Sequence, residues 1–177
     1  MTVNLGPVAP TLAEPEVVPQ TGNGLGHNPR CLKRDISPWV SSNWTKDSDS
    51  YDLITNYNDI LSFQNRMQGD FAAGFYGVHT GGHFTIGGDP GGDLFTSPGD
   101  PMFFLHHGQI DRTWWIWQNQ DLANRQNAIA GTITLLNNPP SRNGTLQDTI
   151  NMGVNAPTVQ IKDVMSTLAG PLCYIYV

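Results

Sequence analysis

Charge is scarce in this sequence of 177 residues: only 14% are Asp, Glu, Lys or Arg, and the net charge is -6. Together with a pI near 5.1, this argues against nucleic acid and anionic membrane surfaces as partners. No apolar run approaches the roughly 20 residues of a membrane span. The first residues, Met1-Thr2-Val3-Asn4-Leu5-Gly6-Pro7, lack the basic and then apolar order of a signal peptide. The glycine-rich run at 87–92 is not followed by Gly-Lys-Ser/Thr, so it is no phosphate loop. Cysteine is almost absent. Cys31 and Cys173 could close a loop of roughly 140 residues, worth about 4–5 kcal/mol in the chain-entropy picture. The alternatives are two unpaired buried thiols or a bond to another chain.

Glycine and proline are abundant, at 19 and 13 residues, together above the usual share of about 12%, so long irregular connections are expected. One domain is the natural count for this length. Pro7, Pro10, Pro15, Pro19 and Pro29 interrupt residues 1–30, which read as an extended arm that must lie on something else. Asn43-Trp44-Thr45 and Asn143-Gly144-Thr145 are glycosylation acceptor patterns and point to secretion.

Apolar spacing over Tyr57, Ile60, Leu61, Phe63 and Met67 predicts a helix from Thr55 to Gln68, with Gly69 as its stop. A second helical segment runs over 71–84. Its glycines at 74, 77, 81 and 82 each cost about 1 kcal/mol against Ala, which suggests close packing on another backbone. Asp100-Pro101 opens a third helix as cap and first position. It reaches about Gln120, with Phe104, His107, Asp111, Trp114, Trp115 and Gln118 on one broad side. Trp114, Trp115 and Trp117 are assigned to the core. Residues 131–136 and 172–177 read as short strands.

Histidine is where chemistry concentrates. Four of the five fall between His79 and His107. His79 and His83 stand four apart, on one side of a helix, and imidazole is the commonest protein metal ligand. A third from a neighbouring helix would complete a site suited to copper, zinc or iron. A zinc protease is disfavoured, because Thr80 stands where its H-E-x-x-H pattern needs Glu. No thiolate lies nearby, which argues against structural zinc or iron–sulfur.

The run from Ser97 to Trp115, with Asp100-Pro101, Phe103, His106-His107, Asp111-Arg112 and Trp114, closely resembles the copper-B signature of the tyrosinase and catechol oxidase family. That pattern is S-P-x-D-P-x-F-x-x-H-H-x-x-x-D-R-x-W, preceded by H-x-x-x-H. Cys173-Tyr174-Ile175-Tyr176 is similar to the tyrosine motif closing the catalytic domain in these enzymes. The short fungal members look closest, and the resemblance runs from about residue 30 to the C-terminus.

The resemblance implies a mainly α fold, with the copper-binding helices of a type-3 copper four-helix bundle, long loops and a few short strands. It implies His79, His83 and His107 as copper ligands, since the family ligand stands four residues before the Asp of D-R. His106 is then a neighbour of the ligands, and Asp111 and Arg112 hold the ligand helix in place. Phe103 matches the aromatic that packs on the ligand imidazoles. Leu94 corresponds to the residue that restricts phenol approach. His83 would be both ligand and stacking platform for the substrate ring, and Thr80 follows the first ligand beside the substrate.

The activity implied is oxidation of o-diphenols to o-quinones with O2 reduced to water. Thr80 stands where strong tyrosinases carry Asn or Asp, which favours catechol oxidase with weak tyrosinase activity at most. A hemocyanin-like O2 carrier uses the same ligands and is the alternative; a mononuclear copper or zinc domain working alone is a third reading. Family enzymes need two coppers with three histidines each, and His27 is the only histidine left over. The expectation is therefore one chain of a split enzyme: residues 31–177 form the copper-B half, and a companion chain supplies copper A and receives the arm at 1–30.

Overall fold

Asp100 starts the longest helix, as its position before Pro101 and an apolar run predicts: its carboxylate accepts the Met102 amide at 2.9 Å, and α5 runs Met102–Asn119. The computed structural model describes residues 2–4, 29–70, 73–93 and 95–177. Residues 5–28 of the expected arm lie outside them; Thr2–Asn4 (β1) pairs antiparallel with Pro29–Cys31 (β2). Among the described residues four α-helices precede α5: α1 Pro38–Trp44, α2 Asp47–Asn56, α3 Ile60–Gln68 and α4 Gly77–Ile86. A short α6, Leu122–Arg125, follows it.

Local chemistry explains the starts. The Ser37 hydroxyl accepts the Val40 amide and Pro38 takes the first turn of α1. Asp47 and Asp49 place negative charge in the first turn of α2. Asp59 accepts the Ser62 amide at 2.9 Å ahead of α3.

The chain forms two compact units, Met1–Leu53 with Asn65–Thr113 and Ile54–Gln64 with Trp114–Val177. In the first, α4 packs on α1 so closely that a β-carbon on Gly81 would stand 2.7 Å from that of Trp44. In the second, fully buried Trp117 stacks on Phe63 at 4.7 Å. The Arg125 guanidinium lies 4.5 Å from the Trp117 ring and donates to the Trp117 carbonyl and to Asn58. Thr149–Ile150 (β3) and Val159–Gln160 (β4) make a two-residue antiparallel pair.

The mainly α class holds; several expected bounds move. Thr55 belongs to the end of α2, and α3 begins five residues later, because Asp59 provides a cap inside the expected helix. Leu61 is exposed, so the buried positions of α3 narrow to Phe63 and Met67. The segment expected over 71–84 begins at Gly77, since Asp70 and Phe75 first exchange two backbone hydrogen bonds in a tight turn. On α5, Thr113, Trp117 and Gln118 are buried while Phe104 and Leu105 are exposed, so the residues grouped on one broad side differ in burial, Gln118 lying inside and Phe104 outside. Trp117 is core; Trp114 and Trp115 are only partly buried.

Residues 131–136 are no strand: one bridge, Thr132 to Asn143, gives way to a helical turn at Leu135–Asn137, where Leu136 and Asn137 take positive φ. Residues 172–177 have no regular structure. Cys31 and Cys173 are free and exposed, so the disulfide is not formed.

Candidate metal centre

Helices α4 and α5 bring His79, His83, His106 and His107 into one half-buried cluster, with ring centroids 4.9–5.6 Å apart. Gly82 makes this possible: the His106 ring lies against its backbone, where a β-carbon would overlap the imidazole. Of the glycines expected to allow close packing, Gly77 lies against the Arg66 and Met67 carbonyls of α3, Gly81 against α1 and Gly82 against His106. Gly74 lies outside the helix, and a β-carbon there would meet nothing within 4 Å.

Proximity alone does not sort the ligands. Donor atoms of His79, His83 and His106 lie within 4.8 Å of one another. Hydrogen bonding separates His106 from the rest. Its Nε2 is 2.8 Å from the His79 carbonyl, which can only accept, so the proton sits on Nε2. In the other three the partner is on Nδ1. His83 Nδ1 donates to the Gly91 carbonyl at 3.1 Å, and His107 Nδ1 to the Phe103 carbonyl at 2.9 Å. His79 Nδ1 lies 2.7 Å from Oε1 of Gln68, the last residue of α3. Those three imidazoles keep a bare Nε2, and donation of the other nitrogen is the usual support of a metal-bound histidine.

The consequence is sharpest between His79 and His107. Their Nε2 atoms are 3.1 Å apart, yet both protons are committed on the far side of each ring. Two lone pairs face each other, which a shared cation would relieve. Imidazole nitrogens at roughly 2.0–2.1 Å from one ion stand roughly 3.3 Å apart at a tetrahedral angle, so the spacing fits. Electrostatics agrees. Burial, reinforced by the neighbouring imidazoles, pushes His79 down to about 3 and His106 down to about 4, and burial also lowers His83. At neutral pH these rings are uncharged and their lone pairs are available.

Phe103 stacks on His107 at 3.9 Å and 27°, so one residue supports that imidazole with both its ring and its carbonyl. Thr80 donates its hydroxyl to the Gln68 carbonyl at 2.7 Å, which ties it to the end of α3. Asp111 and Arg112 are partly buried on α5 beyond the histidines. Leu94 and His27 lie outside the described residues. Sequence reasoning missed Gln68 and the Gly91 carbonyl. Gln68 had a weak signal as a polar residue closing a helix; a carbonyl partner has none.

Residues 1–120 match the family model described as the common central domain of tyrosinase. The chain belongs to the tyrosinase family. Tyrosinase P of Aspergillus terreus is 34% identical over 175 residues, covering 98% of this chain and 48% of that protein. An N-acetyl-6-hydroxytryptophan oxidase of Emericella nidulans is 33% identical over 184 residues, covering 98% and 49%. Among solved structures, a variant of polyphenol oxidase from Thermothelomyces thermophila superposes on the whole chain with TM-score 0.90 and 42% identity, again over 49% of its own length. The chain therefore spans about half the length of these relatives.

Proposed function

We propose that this chain carries one copper site of a type-3 copper oxidase, with His79, His83 and His107 as ligands through Nε2, and that the complete protein oxidises o-diphenols to o-quinones. The observation that carries this is the pair of bare Nε2 atoms at 3.1 Å, each ring having its proton fixed on the opposite nitrogen. Copper, when bound, supplies the redox chemistry and a template for substrate. Two diphenols give four electrons and four protons to one O2, leaving two quinones and two waters.

The chain's own residues orient and select. Gln68, Gly91 and Phe103 fix the three ligand rings, and His106 ties α5 to the α4 backbone by its bond to the His79 carbonyl. His83 offers its face to the substrate ring, and Leu94 limits how deeply a phenol enters. Thr80 favours diphenols: with its hydroxyl proton engaged by Gln68, it is poorly placed to orient a water that would deprotonate a monophenol.

A second set of three histidines comes from a companion segment, corresponding to the half of the relatives that this chain does not match. That span of 48–49% supports the reading. We place the enzyme outside the cell on its two acceptor triplets. Among the described residues, no helix is long and apolar enough to cross a membrane.

The test is turnover of 4-tert-butylcatechol by the copper-loaded complete protein. Rapid quinone formation with O2 uptake is expected. Reversible O2 binding without turnover would instead fit an oxygen carrier, and equal initial rates on a monophenol and its diphenol without a lag would overturn the diphenol preference.

A further inference from the structure

The stretch between β2 and α1 lies across the C-terminal end of α4 as an extended strap. Alternate amides, those of Lys33, Asp35 and Ser37, donate to the carbonyls of Asp89, Ile86 and Thr85 at 2.8, 3.0 and 3.0 Å. Thr85 and Ile86 lie in the last turn of α4, whose carbonyls lack partners within the helix. Gly87 and Gly88 let the strap seat. Both have positive φ, and a β-carbon would stand 2.6 Å from the Asp35 carbonyl at the first and 2.5 Å from that of Lys33 at the second.

Between these anchored amides Arg34 reaches Asp100. Its Nε and one terminal nitrogen each donate at 2.8 Å, to the two different carboxylate oxygens. Asp100 is 1% exposed while Arg34 is 39% exposed, so the carboxylate is withdrawn from water but the guanidinium is not, and the pair acts through its geometry more than through its charge. The fixed fork of a guanidinium sets direction as well as distance. Asp100 in turn receives the Met102 amide on its carboxylate and the Phe103 amide on its carbonyl, both at 2.9 Å. Phe103 then stacks on His107 and accepts its Nδ1 proton. At the other end of the strap, the loop it holds returns through Gly91, whose carbonyl accepts from His83.

We infer that Arg34 is a positioning residue of the metal centre: its forked bond to Asp100 sets the first turn of α5 and, through Phe103, the orientation of His107, while the strap that carries it steadies the loop that orients His83. This rests on the reading of His79, His83 and His107 as copper ligands. One extended segment of a few residues thereby supports two of the three ligands from outside the cluster.

The experiment compares Arg34→Met, Arg34→Lys and Asp100→Asn in the complete protein, at a temperature where circular dichroism shows each variant folded. Two readouts are taken: copper affinity by chelator competition, and the visible spectrum of the cobalt(II)-loaded protein, which reports ligand geometry. Removing a group that supports a ligand typically costs 10–100-fold in metal affinity. Arg34→Met is expected to lose about tenfold or more, at the low end of that range, with a shifted cobalt spectrum. Arg34→Lys keeps the charge without the fork and should recover only part. Adding Arg34→Met to Asp100→Asn should cost little more, because both act through one link.

A lowered melting temperature with unchanged affinity and unchanged cobalt spectrum would overturn the inference and leave a structural clamp. Fully additive losses would overturn it as well. His107→Ala is the control. If it is copper-poor while Arg34→Met binds normally, only the role of Arg34 fails; if it binds copper fully, the ligand reading fails and takes this inference with it.

Discussion

An imidazole can bind a metal through either nitrogen, and in this cluster the other nitrogen's partner decides which one is offered. Carbonyl oxygens from Gly91 and Phe103 leave no choice for His83 and His107, and the Gln68 amide oxygen does the same for His79. Of these three hydrogen bonds only that to Gln68 comes from a side chain, so it is the one that substitution can remove. Gln68→Ala should lower copper affinity by about 10–100-fold while leaving the number of sites unchanged, measured by competition with a chelator. Loss of the site altogether, or no change, would contradict the assigned role.

Protonation gives a second check at this scale. In the unfolded chain a histidine titrates near 6.5, whereas folding pushes His79 down to about 3 and His106 down to about 4. Below about pH 6.5 the unfolded state therefore binds protons that the folded state refuses, so stability falls with falling pH. Asp100 follows the same sign at lower pH: the Arg34 fork holds its carboxyl below the usual range, so its contribution too is lost as pH falls, but only below about pH 3.9. The copper-free protein should lose on the order of 1 kcal/mol per pH unit between about pH 6.5 and 4.5, read from urea midpoints. A flat profile would contradict neutral, desolvated histidines.

At the scale of elements, α4 and α5 were legible because their signals are local. A four-residue histidine spacing needs only a helix, and Asp-Pro ahead of an apolar run needs only a cap. The supports were not legible, since Gln68 and Gly91 reach their histidines by way of turns whose paths no periodicity encodes. The missed boundary at Asp59 has the same origin: a cap within an apolar stripe looks like one more polar position. The expected strand at 131–136 failed because alternation describes side chains, whereas Leu136 and Asn137 bend the backbone to positive φ.

The contact between Gly82 and His106 is where the two helices are most tightly matched. Gly82→Ala should displace the His106 ring and break its bond to the His79 carbonyl. The expected destabilisation is about 1–3 kcal/mol by denaturant titration, despite the better helix propensity of alanine. Unchanged or increased stability would show that the ring can move at no cost.

Across the whole molecule, the match over residues 1–120 and the overlap with about half the length of the relatives agree on the tyrosinase family; on the function proposed above, the second copper-ligand set corresponds to the half of those relatives that this chain does not match. Of the alternatives that the cysteine count left open, the intrachain disulfide is not formed, as both thiols are exposed and free. Counting cysteines gives parity, not proximity.

The ligand assignment is the claim on which the rest depends, and copper stoichiometry tests it. In the complete protein, metal analysis should find two coppers per molecule for the parent and for His106→Ala, and one for His107→Ala. Two coppers in His107→Ala with one in His106→Ala would contradict the account, since the ring whose Nε2 is tied to the His79 carbonyl would then be the ligand.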